Sequence, residues 1–91
     1  MKYENHIHTA AFSDAALDNF LETAVITARR ANASHKCEPR YIWQGHYSEV
    51  YGFNAAAHAL CISCIIEMDD ELEYFTSVRI HCGAYDKTVE V

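Results

Sequence analysis

Six His and four Cys in a chain of 91 residues put metal and thiol chemistry first. Cys61 and Cys64 form a Cys-x-x-Cys, His58 lies three residues upstream, and His81 and Cys82 follow, giving five candidate zinc ligands. A structural zinc site needs thiolates that converge from a tight knuckle. Here the pair sits in the run Ala-Leu-Cys-Ile-Ser-Cys-Ile-Ile, and on a strand an odd spacing sends Cys61 and Cys64 to opposite faces. His35 and Cys37 stand apart in the sequence, and His6 and His8 read as solvent-facing positions of an N-terminal edge strand. A redox Cys-x-x-Cys would open a helix beneath a parallel sheet, which this pattern does not supply. No phosphate-binding Gly loop, nucleophile elbow or His-Glu-x-x-His is present. The sequence therefore implies no metal, no cofactor and no catalytic residue, and it implies four free Cys packed as small apolar side chains.

Charge and aromatic side chains offer a second kind of chemistry, recognition of another protein. Between Glu67 and Glu73 stand five acids, Glu67, Asp69, Asp70, Glu71 and Glu73, and no base. On a hairpin that closes there, Glu67 would face Glu73, a like-charge pair that the cations of a partner would relieve. The spacing does not follow an EF-hand loop and lacks its central Gly. Tyr41, Trp43, Tyr47, Tyr51 and Phe53 cluster upstream, a density of Tyr and Trp suited to an interface. From Tyr41 to Phe53 there is no Lys or Arg, so a groove that stacks nucleic-acid bases is disfavoured. The expected partner-binding residues are Glu67, Asp69, Asp70, Glu71 and Glu73 with Trp43, Tyr47 and Tyr51.

These residues must be carried by a chain of 10.3 kDa with 51% hydrophobic residues, which fits one compact domain over residues 1–91. The strongest local signal is an amphipathic helix from Asp14 to Ala33, capped by Ser13, with Phe12 stapled on Leu17 and an apolar stripe from Leu17 to Ala31. Two alternating runs, His58–Met68 and Leu72–Cys82, predict a hairpin in which Met68 meets Leu72 and Ile66 meets Tyr74 across a loop of Asp69, Asp70 and Glu71. A helix starting at Asn54 competes with the first run. Arg40 to Phe53 reads as two short strands around Gln44-Gly45-His46, Lys2 to Ala10 as a strand, and Lys87 to Val91 as a last edge strand or a frayed end. The expected fold class is α+β, one helix packed on an antiparallel sheet of about four to five strands in β-α-β-β-β-β order. That order resembles the cystatin-like arrangement in architecture only. The Gln-x-Val-x-Gly inhibitory loop of cystatins has no counterpart, because Gln44 is followed by Gly45, His46, Tyr47 and Ser48.

Charge placement narrows the function further. Through Arg40 five acids and five bases cancel, so the whole formal net charge of −6 falls between Tyr41 and Val91. A chain this acidic is poorly suited to neutralising nucleic-acid phosphates. Apolar runs are too short to cross a membrane, and Met1-Lys2-Tyr3-Glu4-Asn5-His6 has no secretory pattern, so a cytoplasmic protein is expected. The reading that fits best is a small acidic, non-enzymatic protein-binding module. It would be an inhibitor that occludes a basic surface of a nuclease, a toxin or a nucleic-acid-guided effector, of immunity-protein, antitoxin or phage anti-CRISPR type. The alternatives are a small-molecule-binding or catalytic α+β cone lined by Tyr41, Trp43, His46 and Tyr47, and a homo-oligomeric accessory subunit, with a homodimer as its simplest form.

Overall fold

The structure is a computed structural model and describes residues 12–91. The strand expected over Lys2–Ala10, with His6 and His8, lies outside the described residues. Helix α1 spans Asp14–Cys37, and the Ser13 hydroxyl accepts a hydrogen bond from the Ala16 N–H at 3.1 Å, as expected for its cap. Leu17, Leu21, Ala24, Val25, Ala28 and Ala31 form its buried stripe. The helix runs past Ala33 and ends at Cys37, because Pro39 pushes Glu38 out of helical geometry to φ −113°, ψ 156°.

Pro39 then opens helix α2, Arg40–Ala59, where its missing N–H leaves no hydrogen bond unmade. This helix replaces the two short strands expected between Arg40 and Phe53 and takes in His58 and Ala59, which were expected to begin the hairpin. Trp43, Tyr47 and Tyr51 are four apart, a spacing that satisfies a strand's period of two and nearly satisfies a helix's 3.6. The tie is broken by Val50 and Ala57, which join Tyr47 on the buried side at spacings of three and seven. Gly45 and Gly52 are tolerated on the open side of α2 at a cost of ~1 kcal/mol each relative to Ala.

The end of α2 is a Schellman motif. Cys61 adopts φ 61° and donates to the His58 carbonyl at 3.1 Å, while the Ile62 N–H reaches the Ala57 carbonyl at 2.8 Å. Ala57 and Ile62 are both buried in the same cluster, the apolar contact that usually accompanies this motif. The first Cys of the Cys-x-x-Cys is thus a helix-terminating residue in a position that favours glycine.

Three strands follow, β1 Ser63–Met68, β2 Phe75–Cys82 and β3 Tyr85–Glu90, in an antiparallel sheet of order β1-β2-β3. The fold class is α+β as expected. The described residues hold two helices followed by three strands, so the one-helix, cystatin-like order is corrected. The β1–β2 hairpin exists, but Ile66 pairs with Val78 and Cys64 with Ile80, where Tyr74 and Thr76 were expected. The slip is an even number of residues, so Cys64, Ile66, Val78 and Ile80 keep their expected face. Beyond a register irregularity between Glu67 and Met68, however, Met68 pairs with Phe75, which is buried in place of the expected Tyr74 and Thr76. The slip is caused by that irregularity and by a longer connection, Asp69–Tyr74. The final edge strand is present, entered through a two-residue turn at Gly83, φ 60°, between the paired Cys82 and Tyr85.

Both helices cover the face that carries Cys64, Val78, Ile80 and Tyr85. Near the ends of the loop connection a second cluster joins Ala28, Ala31, Tyr47, Val50 and Phe75. Ile80, Val50 and Val78 are the largest fully enclosed side chains, and burial of each contributes ~1.5–3 kcal/mol. A polar clamp ties α1 to the start of β2. The Asn32 side chain donates to the Phe75 carbonyl at 2.9 Å and accepts from the Phe75 N–H at 2.8 Å, satisfying the backbone where β2 begins.

Two stability measurements test this account. Asn32→Leu should lower unfolding free energy in urea by ~2 kcal/mol despite its added apolar area, because both Phe75 backbone groups lose their partner. Cys61→Gly should raise it by ~1 kcal/mol, because glycine adopts the left-handed conformation without a Cβ clash.

Candidate functional site

The C-terminal end of α1, the N-terminal half of α2 and the β1–β2 loop meet at one end of the molecule. The loop is built by Asp69. Its carboxylate accepts from the Glu73 N–H at 2.8 Å and the Tyr74 N–H at 3.2 Å. Its backbone N–H donates to the Tyr74 carbonyl at 2.9 Å, and its carbonyl accepts from the Leu72 N–H at 3.0 Å. Held this way, Leu72 takes φ 58° and stands 71% exposed between Glu71 and Glu73. A leucine in the left-handed region costs ~1–2 kcal/mol relative to ordinary backbone.

The five expected acids therefore divide. Asp70, Glu71 and Glu73 form an exposed acidic rim around Leu72, and among the described residues Asp70 and Glu71 have no ion-pair partner. Asp69 is half-buried and structural. Glu67 lies on β1 opposite Ser77, whose hydroxyl donates to it at 3.2 Å, so the expected repulsion with Glu73 does not arise. Glu73 instead comes within 3.8 Å of His35 Nε2.

Trp43, Tyr47 and Tyr51 reach the same end, although they were inferred separately from the acids. The His35 ring is held between two others, stacked on Trp43 with centroids 4.6 Å apart and an interplanar angle of 18°, and 4.7 Å from Tyr74 at 35°. Arg40 approaches the Trp43 ring at 6.0 Å and Lys36 the Tyr74 ring at 5.9 Å. The surface is thus acidic with two cations at its margin. Tyr51 is half exposed and its hydroxyl donates to Met68 Sδ at 3.3 Å. Tyr47 is only 9% exposed, packed on Phe75 at 4.8 Å, so it belongs to the core under this surface and not to the surface itself. Its hydroxyl is buried with no hydrogen-bond partner. Burial first, and then the carboxylates of Asp69 and Glu73 among its neighbours, push its pKa up to about 12.

His35, Tyr74 and Leu72 are the residues that sequence reasoning missed here. His35 was weighed only as a distant metal ligand, and Leu72 and Tyr74 were assigned to strand pairs. The remaining chemistry-bearing residues are dispersed. Of the four free Cys, only Cys64 takes the buried position expected of all, and burial pushes its thiol pKa up; Cys37 and Cys61 are exposed and Cys82 is intermediate. Among the described residues no group of three or more His, Cys, Asp or Glu is arranged to hold a metal ion. A groove of about 440 Å³ runs between α1 and β3, lined by Leu21, Val25, Ile26 and Val89, and not beside Trp43 as a cone-type pocket would require. At one end of that groove Asp18 accepts from the Tyr85 hydroxyl at 2.6 Å and from Lys87 at 2.8 Å, and these bonds hold its pKa below the usual carboxylate value. No described helix is long and apolar enough to cross a membrane.

The chain matches no protein-family model, no curated protein and no solved structure. The site therefore rests on its own geometry.

Tyr85 shares the upward shift of Tyr47, to about 12, through burial and then its hydrogen bond to Asp18. A tyrosine whose folded pKa is raised stabilises the fold fully below pH ~10, and that stability is lost as pH climbs toward 12. A tyrosinate absorbance titration should show Tyr47 and Tyr85 ionising late, together with loss of structure. Tyr47→Phe should remove one of the late groups.

Proposed function

We propose that this protein is a small acidic, non-enzymatic binding module whose β1–β2 loop docks on a basic surface of another protein and covers it. The observation that carries this reading is Leu72, an apolar side chain 71% exposed on a loop fixed by Asp69 and ringed by Asp70, Glu71 and Glu73. An apolar anchor within a charged rim is the arrangement that gives interfaces their affinity and their association rate. The leucine loses water on docking, while the uncompensated carboxylates steer a cationic partner toward it. The partner class that fits is a protein evolved to hold nucleic acid, such as a nuclease, a toxin or a nucleic-acid-guided effector. Its basic groove would be occupied by acids in place of phosphates.

A second reading, a subunit that pairs with copies of itself, is favoured by β1. This outer strand of the sheet presents Ile65, 45% exposed, on the face away from the helices. A concentration-independent monomer mass in sedimentation equilibrium would remove it.

The docking reading is tested by capturing the partner from host lysate, identifying it by mass spectrometry and measuring kinetics. Asp70→Lys with Glu71→Lys should leave the melting temperature nearly unchanged and slow association ~10-fold or more at low salt, the gap closing as salt rises. Leu72→Gly should act on dissociation instead. An association rate that ignores both charge reversals refutes the reading.

A further inference from the structure

The aromatic slot beside the acidic loop already holds a flat nitrogen heterocycle. His35 lies between Trp43 and Tyr74, with centroids 4.6 and 4.7 Å away, and with Glu73 Oε2 3.8 Å from its Nε2. Two aromatic faces and a carboxylate at the edge are what a planar cation needs for recognition. The same rings draw Arg40 and Lys36 to within about 6 Å. His35 belongs to the last turn of α1, which ends at Cys37, and its side chain is 18% exposed, so it lies at the edge of the slot that opens to solvent.

His35 leaves one group of the slot unserved. The Tyr47 ring lies 6.2 Å from His35 between centroids, and its hydroxyl is buried with no hydrogen-bond partner, within the influence of Asp69 and Glu73. An unmade hydrogen bond of this kind costs ~1–3 kcal/mol. A guanidinium supplies what the imidazole does not. Its five N–H donors in one plane can serve the Glu73 carboxylate and the Tyr47 oxygen together while its faces lie against Trp43 and Tyr74. The local charges favour it, since Asp69, Asp70, Glu71 and Glu73 outnumber Lys36 and Arg40 around the slot.

We infer that the slot between Trp43 and Tyr74 is the receptor for an arginine side chain of the partner, and that His35 is an internal occupant which the arginine displaces. This inference rests on the docking reading above and assigns the chemistry of its second contact. Leu72 anchors the loop, and the arginine enters beside it.

Trp43 is the one tryptophan of the chain, so its fluorescence reports on the slot directly. The probes are the capped tripeptides Gly-Arg-Gly and Gly-Lys-Gly, with His35 ring resonances followed by NMR in parallel. Gly-Arg-Gly should give a saturable fluorescence change and move the His35 ring protons downfield, out of the shielding of its neighbours. Gly-Lys-Gly should bind ~5-fold more weakly or worse. His35→Ala should tighten Gly-Arg-Gly binding ~5-fold, and Tyr74→Ala and Glu73→Gln should each weaken it by a similar factor. Equal response to the two peptides, no saturation, or His35 resonances unmoved at saturation would overturn the inference, and the last readout needs no variant to fold. If the reversals at Asp70 and Glu71 slow partner association while the arginine peptide leaves His35 in place, docking stands and the slot assignment falls. If neither responds, both fall.

Discussion

One apolar sheet face has to be covered, and the rest of the molecule depends on how the chain covers it. Cys64, Ile66, Val78, Ile80 and Val89 stand on one side of three strands, and the opposite side carries Glu67, Ser77, Arg79 and Thr88 with the exposed Ile65. A single helix would leave part of that face wet. The chain supplies two, α1 and α2, joined through Glu38 and Pro39, so that both lie on the same side. The Asn32 clamp on Phe75 fixes α1 to the entry of β2, and the Schellman turn at Cys61 delivers the chain from α2 straight into β1. Everything not needed for this cover, above all the loop from Asp69 to Tyr74, is free to differ from an ideal hairpin.

What was legible in the sequence followed from how strongly each pattern discriminates. The α1 stripe repeats over many turns and begins at a good cap, so helix, cap and buried face were all readable. The even-numbered apolar series named Cys64, Ile66, Val78 and Ile80 on the inner face correctly, because parity survives an even slip, but it missed Phe75, buried where β2 begins beyond the register irregularity. Register was not readable, because it is set by the loop, and the role of Asp69 depends on backbone N–H groups that no pattern displays. The region Tyr41–Phe53 misled for a specific reason. Aromatics spaced by four fit two periods, and Gly45 imitates a turn. The sole proline, Pro39, was the signal that separated two long helices.

The candidate site was legible in kind and not in detail. Acids and aromatics were both expected to mark contact surfaces, and folding places them together because the aromatic half of α2 packs above the connection that carries the acids. Three of the eight expected contact residues then take other places. Tyr47 goes into the core, Asp69 into the turn and Glu67 onto the outer sheet face, while Asp70, Glu71, Glu73, Trp43 and Tyr51 remain where a partner could touch them. His35 could not have been placed from spacing, since its partners Trp43 and Tyr74 come from two other elements.

The distribution of local costs points to the same end of the molecule. Among the described residues two non-glycine residues hold positive φ, and one of them, Cys61, is accounted for by the hydrogen bonds that end α2. Leu72 is likewise held by hydrogen bonds, its N–H to the Asp69 carbonyl and the Asp69 carboxylate to the N–H groups that follow, but its side chain is exposed and contributes little to the core. Tyr47 adds a buried hydroxyl without a partner a few residues' width away. Each costs on the order of 1–3 kcal/mol, against a net stability of ~5–10 kcal/mol for a chain this small. The Ser34 hydroxyl of α1 is a third such cost, buried without a partner near the end of the helix that carries His35; on the proposed reading, the strained Leu72 loop under the acidic rim is the part of this end that a bound partner would complete.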